Sequence, residues 1–329
     1  MLRKSNIGGR RVHKLSLNIH QPTTAMKRNL SVDILKFIMA FFIVGLHGEL
    51  FADISDSLYY YFCQGIARIG VPIFLLISGF YFYESKAEFS SWIKRLIYLY
   101  IIWMIIYADF WFRLDYRVIK DVIFGFGPLW YIAGTLFAFI FIGIIRNLKL
   151  NKQIALVVGC GILGILLQYG KSYDLPDASS LLYKLNLHMY RNGLFFCFPF
   201  IMIGYFINKF SLHKKYINWL LLLILGVFLL LIETVINYNY SGNGFDILLS
   251  LYLLCPVLFI YTLNKEFYST NKTLALYSTG IYLIHHLVLF VLRRLELFTP
   301  SILVIVTFLI SIFLTFFLIK IKKKFKYIM

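Results

Sequence analysis

The chain has 329 residues, 60% of them hydrophobic and 19% aromatic, with only 15% charged and a mean hydropathy of +0.77. A soluble domain of this length cannot hide that much apolar surface, and several runs reach the roughly 20 apolar residues that cross about 30 Å of hydrocarbon as a helix. The net charge of +18 does not point to nucleic acid, because the basic residues sit in short gaps between apolar runs and in the tail KIKKKFKYIM, not in one basic domain. The short alternating segments of a membrane barrel are also missing. An all-α, polytopic integral membrane protein is expected.

In chain order, residues 1–29 are polar and basic with no short apolar core, which argues against a cleavable signal peptide. They read as a flexible cytoplasmic extension, within which Met26 offers an alternative start. Ten spans follow, at about 31–50, 64–83, 93–112, 128–146, 153–169, 193–209, 217–236, 245–263, 274–292 and 301–320. Of the 33 Lys and Arg, 23 fall on the side of this layout that holds the N-terminus and only 8 on the other. The positive-inside rule therefore puts both termini in the cytoplasm, and an even number of spans agrees. The layout predicts one transmembrane domain over 30–320 and a basic cytoplasmic tail over 321–329, which is expected to touch anionic lipid headgroups. The longest outer loop, about 171–192, is the candidate cover over an outward-facing site. No internal repeat supports an inverted-repeat transporter.

The first span, SVDILKFIMAFFIVGLHGELF, carries Asp33 and Lys36 near its inner end and His47 and Glu49 near its outer end. Lys36 and His47 are 11 residues apart, which puts them on one helix face about 16 Å apart along the axis. Ionisable groups facing lipid cost several kcal/mol unless paired or wetted, so a polar seam through the interior is expected. The bland alternative is that Lys36 snorkels to the headgroups and His47 sits at the opposite interface. Asp33 is either a helix-start residue or a partner for Lys36. Other polar groups at membrane depth are Arg68, Asp109, Glu233 and the pair His285-His286, with Arg191 and Asn192 at the outer start of the sixth span. Some of these read as structural pairs, such as Arg68 with a carboxylate.

Cys63, Cys160, Cys197 and Cys255 are far apart and read as buried small hydrophobes. The histidines lack the ligand spacing of a metal site, and no nucleophile elbow is visible, so neither metal nor a serine triad is expected.

VDILKFIMAFFIVGLH, with Asp33, Lys36 and His47 at its marked positions, resembles the first helix of the membrane acyltransferase-3 family, bacterial integral-membrane enzymes that acylate extracytoplasmic glycans. Four further elements follow in the family's order: Ser78-Gly79-Phe80, Trp130-Tyr131 in GPLWYIAGTLF, FPFIMIGYFI, and Tyr282-Leu283 with His285 in STGIYLIHHLVL. The resemblance covers about residues 30–320. Two positions depart from it. Lys36 replaces the commoner Arg, and WIKRL has Trp92 in place of the first member of an Arg-x-x-Arg pair, with Lys94 as substitute beside Arg95.

The resemblance implies a membrane-bound O-acyltransferase of the inner (cytoplasmic) membrane, taking an acyl group, acetyl above all, from cytoplasmic acetyl-CoA to a glycan hydroxyl outside. The acceptor is an envelope polysaccharide or a lipid-linked glycan, and homo-oligomerisation stays open. Lys36, Lys94 and Arg95 would hold the donor's phosphates. His47 would act as general base or carry the acyl group, with Glu49 or another carboxylate orienting its ring. Trp130 and Tyr131 would stack on a sugar, or else serve as interface-belt aromatics. Arg191 and His285 are expected on the acceptor side. The rival reading is a transporter or flippase for a lipid-linked glycan, which also needs a polar seam and basic mouths.

Overall fold

A computed structural model describes residues 28–84, 89–115, 117–173, 187–265 and 267–329. The N-terminal stretch 1–27 and most of the expected outer cover, 174–186, lie outside the described residues. The helices are α1 (Leu30–Gly48), α2 (Asp56–Tyr83), α3 (Phe89–Ile106), α4 (Arg117–Phe124), α5 (Gly127–Ile145), α6 (Leu150–Ser172), α7 (Gly193–Lys209), α8 (Trp219–Tyr240), α9 (Leu251–Leu263), α10 (Thr273–Arg293) and α11 (Pro300–Lys322). Among the described residues eight are long and apolar enough to cross a membrane, and α7 and α9 are shorter apolar helices. The chain is a multi-pass membrane protein, nearly all-α. Lipid explains the side chains α8 presents outward: Leu221, Ile224 and Phe228 would be costly in water and are at home in hydrocarbon.

Two close approaches organise the bundle. Where α2 crosses α7, a Cβ on Gly79 would sit 1.8 Å from the Ile201 carbonyl oxygen, and one on Gly204 would sit 2.0 Å from that of Leu76. The two glycines let the backbones touch, as small residues do in membrane helix pairs. This accounts physically for the Ser-Gly-Phe and Gly-Tyr elements of the sequence. On the other side α1 lies against α10 and α11, with Phe41 edge-on to Phe308 at 5.1 Å.

Four expectations change in the structure. The third span is shorter than 93–112. Helix α3 stops at Ile106, a single turn covers Ala108–Trp111, and Asp109 is exposed and outside any membrane helix. The eighth span does not run helically from 245. Residues 245–250 are unwound, with Phe245, Ile247, Leu248 and Ser250 buried and Leu249 exposed, and side chains replace the missing helical bonds: Gln168 Oε1 accepts from the Asp246 N–H (3.0 Å), while Glu233 accepts from the N–H groups of Leu249 (2.7 Å) and Ser250 (2.8 Å). Non-helical backbone survives at membrane depth only when protein satisfies it, so Glu233 has a capping role. The end of the basic extension is not free, because Arg28–Asn29 pairs antiparallel with Tyr268–Ser269. The C-terminal tail folds back as well: Trp103 Nε1 donates to the Ile328 carbonyl (2.9 Å), Tyr327 stacks on Tyr98 at 4.8 Å, and Met329 is buried.

Gly204→Val is expected to overpack the α2–α7 crossing by more than the usual 1–3 kcal/mol, because the obstacle is backbone. Fluorescence-detected size exclusion of the tagged protein should show loss of the monodisperse peak. Glu233→Ala removes two charge-assisted bonds from the N–H groups of Leu249 and Ser250 and is expected to cost about 2 kcal/mol. Glu233→Gln should recover part of this in a thermal-unfolding assay.

Candidate functional site

The site begins at the end of α1. Gly48 is its last residue, and Glu49 takes the left-handed C-cap position (φ 62°, ψ 48°), with its N–H donating to the Gly45 carbonyl. That turn sends the Glu49 side chain outward, where its carboxylate lies 3.4 Å from Arg293 and is exposed. Glu49 is therefore not the group that orients the His47 ring. Arg293, at the end of α10, clasps the helix terminus instead, donating to the His47 carbonyl at 2.8 Å. A cation at a helix C-terminus satisfies an otherwise orphaned carbonyl and the helix dipole together. In the following loop Asp53 accepts from the Ser301 hydroxyl (2.5 Å) and N–H (3.2 Å) at the start of α11; this holds its carboxyl below the usual carboxylate range.

The His47 ring meets two more imidazoles, with centroids 5.3 Å away at His285 and 5.2 Å at His286. His285 is fully buried, and its Nδ1 lies 2.7 Å from the Tyr282 carbonyl. A carbonyl only accepts, so Nδ1 carries the proton and Nε2 keeps a free lone pair; that Nε2 has no hydrogen-bond partner. Among the described residues no three His, Cys, Asp or Glu side chains group as metal ligands would.

Across a small cavity from His47 stand Arg68, Asp246, Arg191, Trp130, Tyr131 and Tyr282. A π turn over Tyr61–Gly65 and a 3-10 turn over Ile66–Ile69 interrupt α2 and aim Arg68 inward, a common use of such bulges. Arg68 hydrogen-bonds Asp246 and Gln64, and Arg191 reaches the same Asp246 oxygen at 3.4 Å. The Arg191 guanidinium also lies over the Trp130 ring at 4.9 Å. Trp130 is thus buried inside the bundle, not an interface-belt aromatic. The cavity holds about 30 Å³, room for a water but not for a sugar ring.

Lys36, at the other end of α1, is half-buried. Around it stand the charges of Asp33, Arg28, Arg95 and Lys322. Of the two roles offered to Asp33, the helix-start one fits: it lies in the first turn of α1 and hydrogen-bonds Arg28 at 3.1 Å. Arg95 joins this cluster, while Lys94 is exposed on α3. Among the described residues the expected polar seam between the two ends of α1 is not formed: Ala40 and Ile43 are buried among apolar neighbours, and Ile43 packs in one cluster with Trp103 and Leu283.

The sequence reading placed His47, Trp130, Tyr131, Arg191 and His285 near one site, and the structure brings them together. It missed Asp246, Arg293 and the part His286 plays. Asp246 had a signal in Ser241-Gly242-Asn243-Gly244, which breaks the helix just before it. Arg293 had none, because its role depends on how α10 ends against α1.

A bundle of apolar helices with a histidine–arginine cavity at one end and a basic cluster at the other defines the class as a multi-pass helical membrane protein with a polar site buried among its helices. The chain belongs to the acyltransferase-3 family, whose acyltransferase domain matches residues 29–320. It is also similar to an amino-acid racemase of Enterococcus faecalis, 26% identical over 54% of this chain and 28% of that protein, and to another of the same organism, 22% identical over 82% and 42%. A serine/alanine racemase of Enterococcus gallinarum is 24% identical over 78% of this chain and 40% of its own length. The chain thus spans less than half the length of these curated relatives. No solved structure matches it.

Asp246→Ala leaves two part-buried guanidiniums without their shared counter-charge and is expected to destabilise by about 3 kcal/mol. Adding Arg68→Gln should restore part of that loss, and the coupling is read from a double-mutant cycle of thermal unfolding in detergent.

Proposed function

We propose that the protein moves an acyl group, acetyl above all, from cytoplasmic acyl-CoA to a hydroxyl of an extracytoplasmic glycan such as O-antigen, capsule or exopolysaccharide, in the cell's inner membrane. The observation that carries this reading is the two-ended α1: Lys36 stands in a basic cluster at one end and His47 in a histidine–arginine cavity at the other. Loop charge supports putting the Lys36 end in the cytoplasm.

Lys36, with Arg28, Arg95 and Lys322 around it, suits the nucleotide phosphates, which bind as charge-assisted pairs. A single Lys supplies charge without the bidentate fork of Arg. At the far end His47 takes the proton of the acceptor hydroxyl as its oxygen attacks the thioester carbonyl; the C–S bond breaks and the thiol leaves with a proton. His285, with its proton fixed on Nδ1, offers a lone pair beside that ring and suits a supporting role in holding or passing the proton. Arg68 and Arg191 suit the negative charge that develops on the carbonyl oxygen, a service rigid donors perform in a dry cavity. The apolar packing around Ala40 and Ile43 favours acyl transfer over flipping, since a path along α1 has to admit only a slim acyl-bearing arm, not a sugar.

In membranes carrying His47→Ala, acylation of surface polysaccharide is expected to vanish at normal protein abundance, read by mass spectrometry as the loss of one acyl mass. Full acylation would remove His47 from catalysis. Lys36→Ala is expected to raise the KM for acyl-CoA about tenfold, as a lost phosphate contact of roughly 1.4 kcal/mol does. Lys36→Arg should leave KM unchanged or lower.

A further inference from the structure

Beside the His47 cavity, on the flank of the bundle, an apolar groove of about 410 Å³ opens between α5 and the start of α7. Phe137 and Phe141 form one wall, and Leu194 and Phe195 form the other. Its polar end is made by Trp130 and Arg191, and these same two residues line the His47 cavity. Groove and cavity are therefore neighbouring rooms with one shared wall. Phe137 is 50% exposed and Leu194 37%, on a surface that faces lipid in a membrane protein. From Trp130 to Phe141 the groove follows α5 for about 16 Å.

The lining decides what fits. A free sugar gains nothing from aromatic and aliphatic walls, since its hydroxyls would lose water there without replacement bonds. A hydrocarbon chain gains from filling them. The groove ends, however, in a cation. Arg191 gives one nitrogen to Asp246 and its face to Trp130, but its buried Nε has no hydrogen-bond partner. A guanidinium with an unused donor, set where an apolar groove meets a polar cavity, is complementary to a phosphate at the head of a long chain.

We infer that the groove seats the hydrocarbon chain of a lipid-linked acceptor, with its phosphate on Arg191 and its sugar passing Trp130 into the His47 cavity. The fate of the sugar rests on the acyl-transfer reading; the binding does not. The carrier stays in the bilayer throughout, so the acceptor reaches the site sideways from the membrane.

The test is photolabelling of the full chain in phosphatidylcholine nanodiscs with a diazirine-bearing polyisoprenyl phosphate, and mapping of adducts by peptide mass spectrometry. Adducts are expected on the Phe137–Phe141 and Leu194–Phe195 stretches. They should fall at least tenfold with excess undecaprenyl phosphate, and hardly at all with excess phosphatidylglycerol or inorganic phosphate. Arg191→Gln should lower the labelling about tenfold. Leu194→Trp, which fills the groove without touching charge, should do the same with an unchanged size-exclusion profile. Equal competition by phosphatidylglycerol would make the groove a seat for bulk lipid and overturn the inference, as would adducts spread over lipid-facing α8 or full labelling of both variants. Groove-specific labelling without acyl transfer to the bound lipid-linked sugar would instead overturn the acyl-transfer reading and leave the groove standing.

Discussion

Two arginines share one aspartate inside a bundle bathed in hydrocarbon, and the arrangement of the site follows from making that tolerable. Arg68 and Arg191 cannot sit unpaired at this depth, and Asp246 supplies the counter-charge for both. To place that carboxylate the chain gives up helical bonds over 245–250, and Gln168 and Glu233 replace them from neighbouring helices. With two guanidiniums on one carboxylate, the network leaves the site cationic overall.

Helix α1 divides the labour of the molecule along its length. Its two polar ends answer to different surroundings, and the apolar middle keeps them from forming one continuous water-filled pore. A sealed middle suits a reaction in which donor and acceptor stay on opposite sides, because an open polar channel would also leak ions. The cavity beside His47 is correspondingly tight, and anything much larger than a water needs the surrounding helices to part.

Much of this was legible in the sequence. Apolar runs of sufficient length gave the bundle, and the spacing of Lys36 and His47 gave the two ends of one helix face. Glycines 79 and 204 were visible as motifs, although their reason, a backbone contact, needed both helices in place. Composition could not show the unwound stretch before α9, because its residues are as apolar as those of a helix. Buried Phe245, Ile247 and Leu248 look like a span until the bonding of their neighbours is known. The outward turn of Glu49 was hidden for a similar reason, since it follows from a left-handed cap, not from residue type. The docked tail end was hidden too: the bond from Trp103 to the Ile328 carbonyl joins two distant parts of the chain that no local pattern relates.

The clasp between Arg293 and the end of α1 ties His47 to the helix that also carries His285 and His286. The three imidazoles therefore belong to one mechanical unit, α1 with α10, whereas the guanidiniums ride on α2 and on the start of α7. A hydrogen bond from Tyr282 to the Pro128 carbonyl fastens the histidine unit to the first turn of α5, close to Trp130. Parting of the two units about that bond would widen the gap between imidazole and guanidinium without disturbing either group's own partners. The separation of imidazole and guanidinium is then an adjustable coordinate of the molecule, set afresh by whatever lies between them.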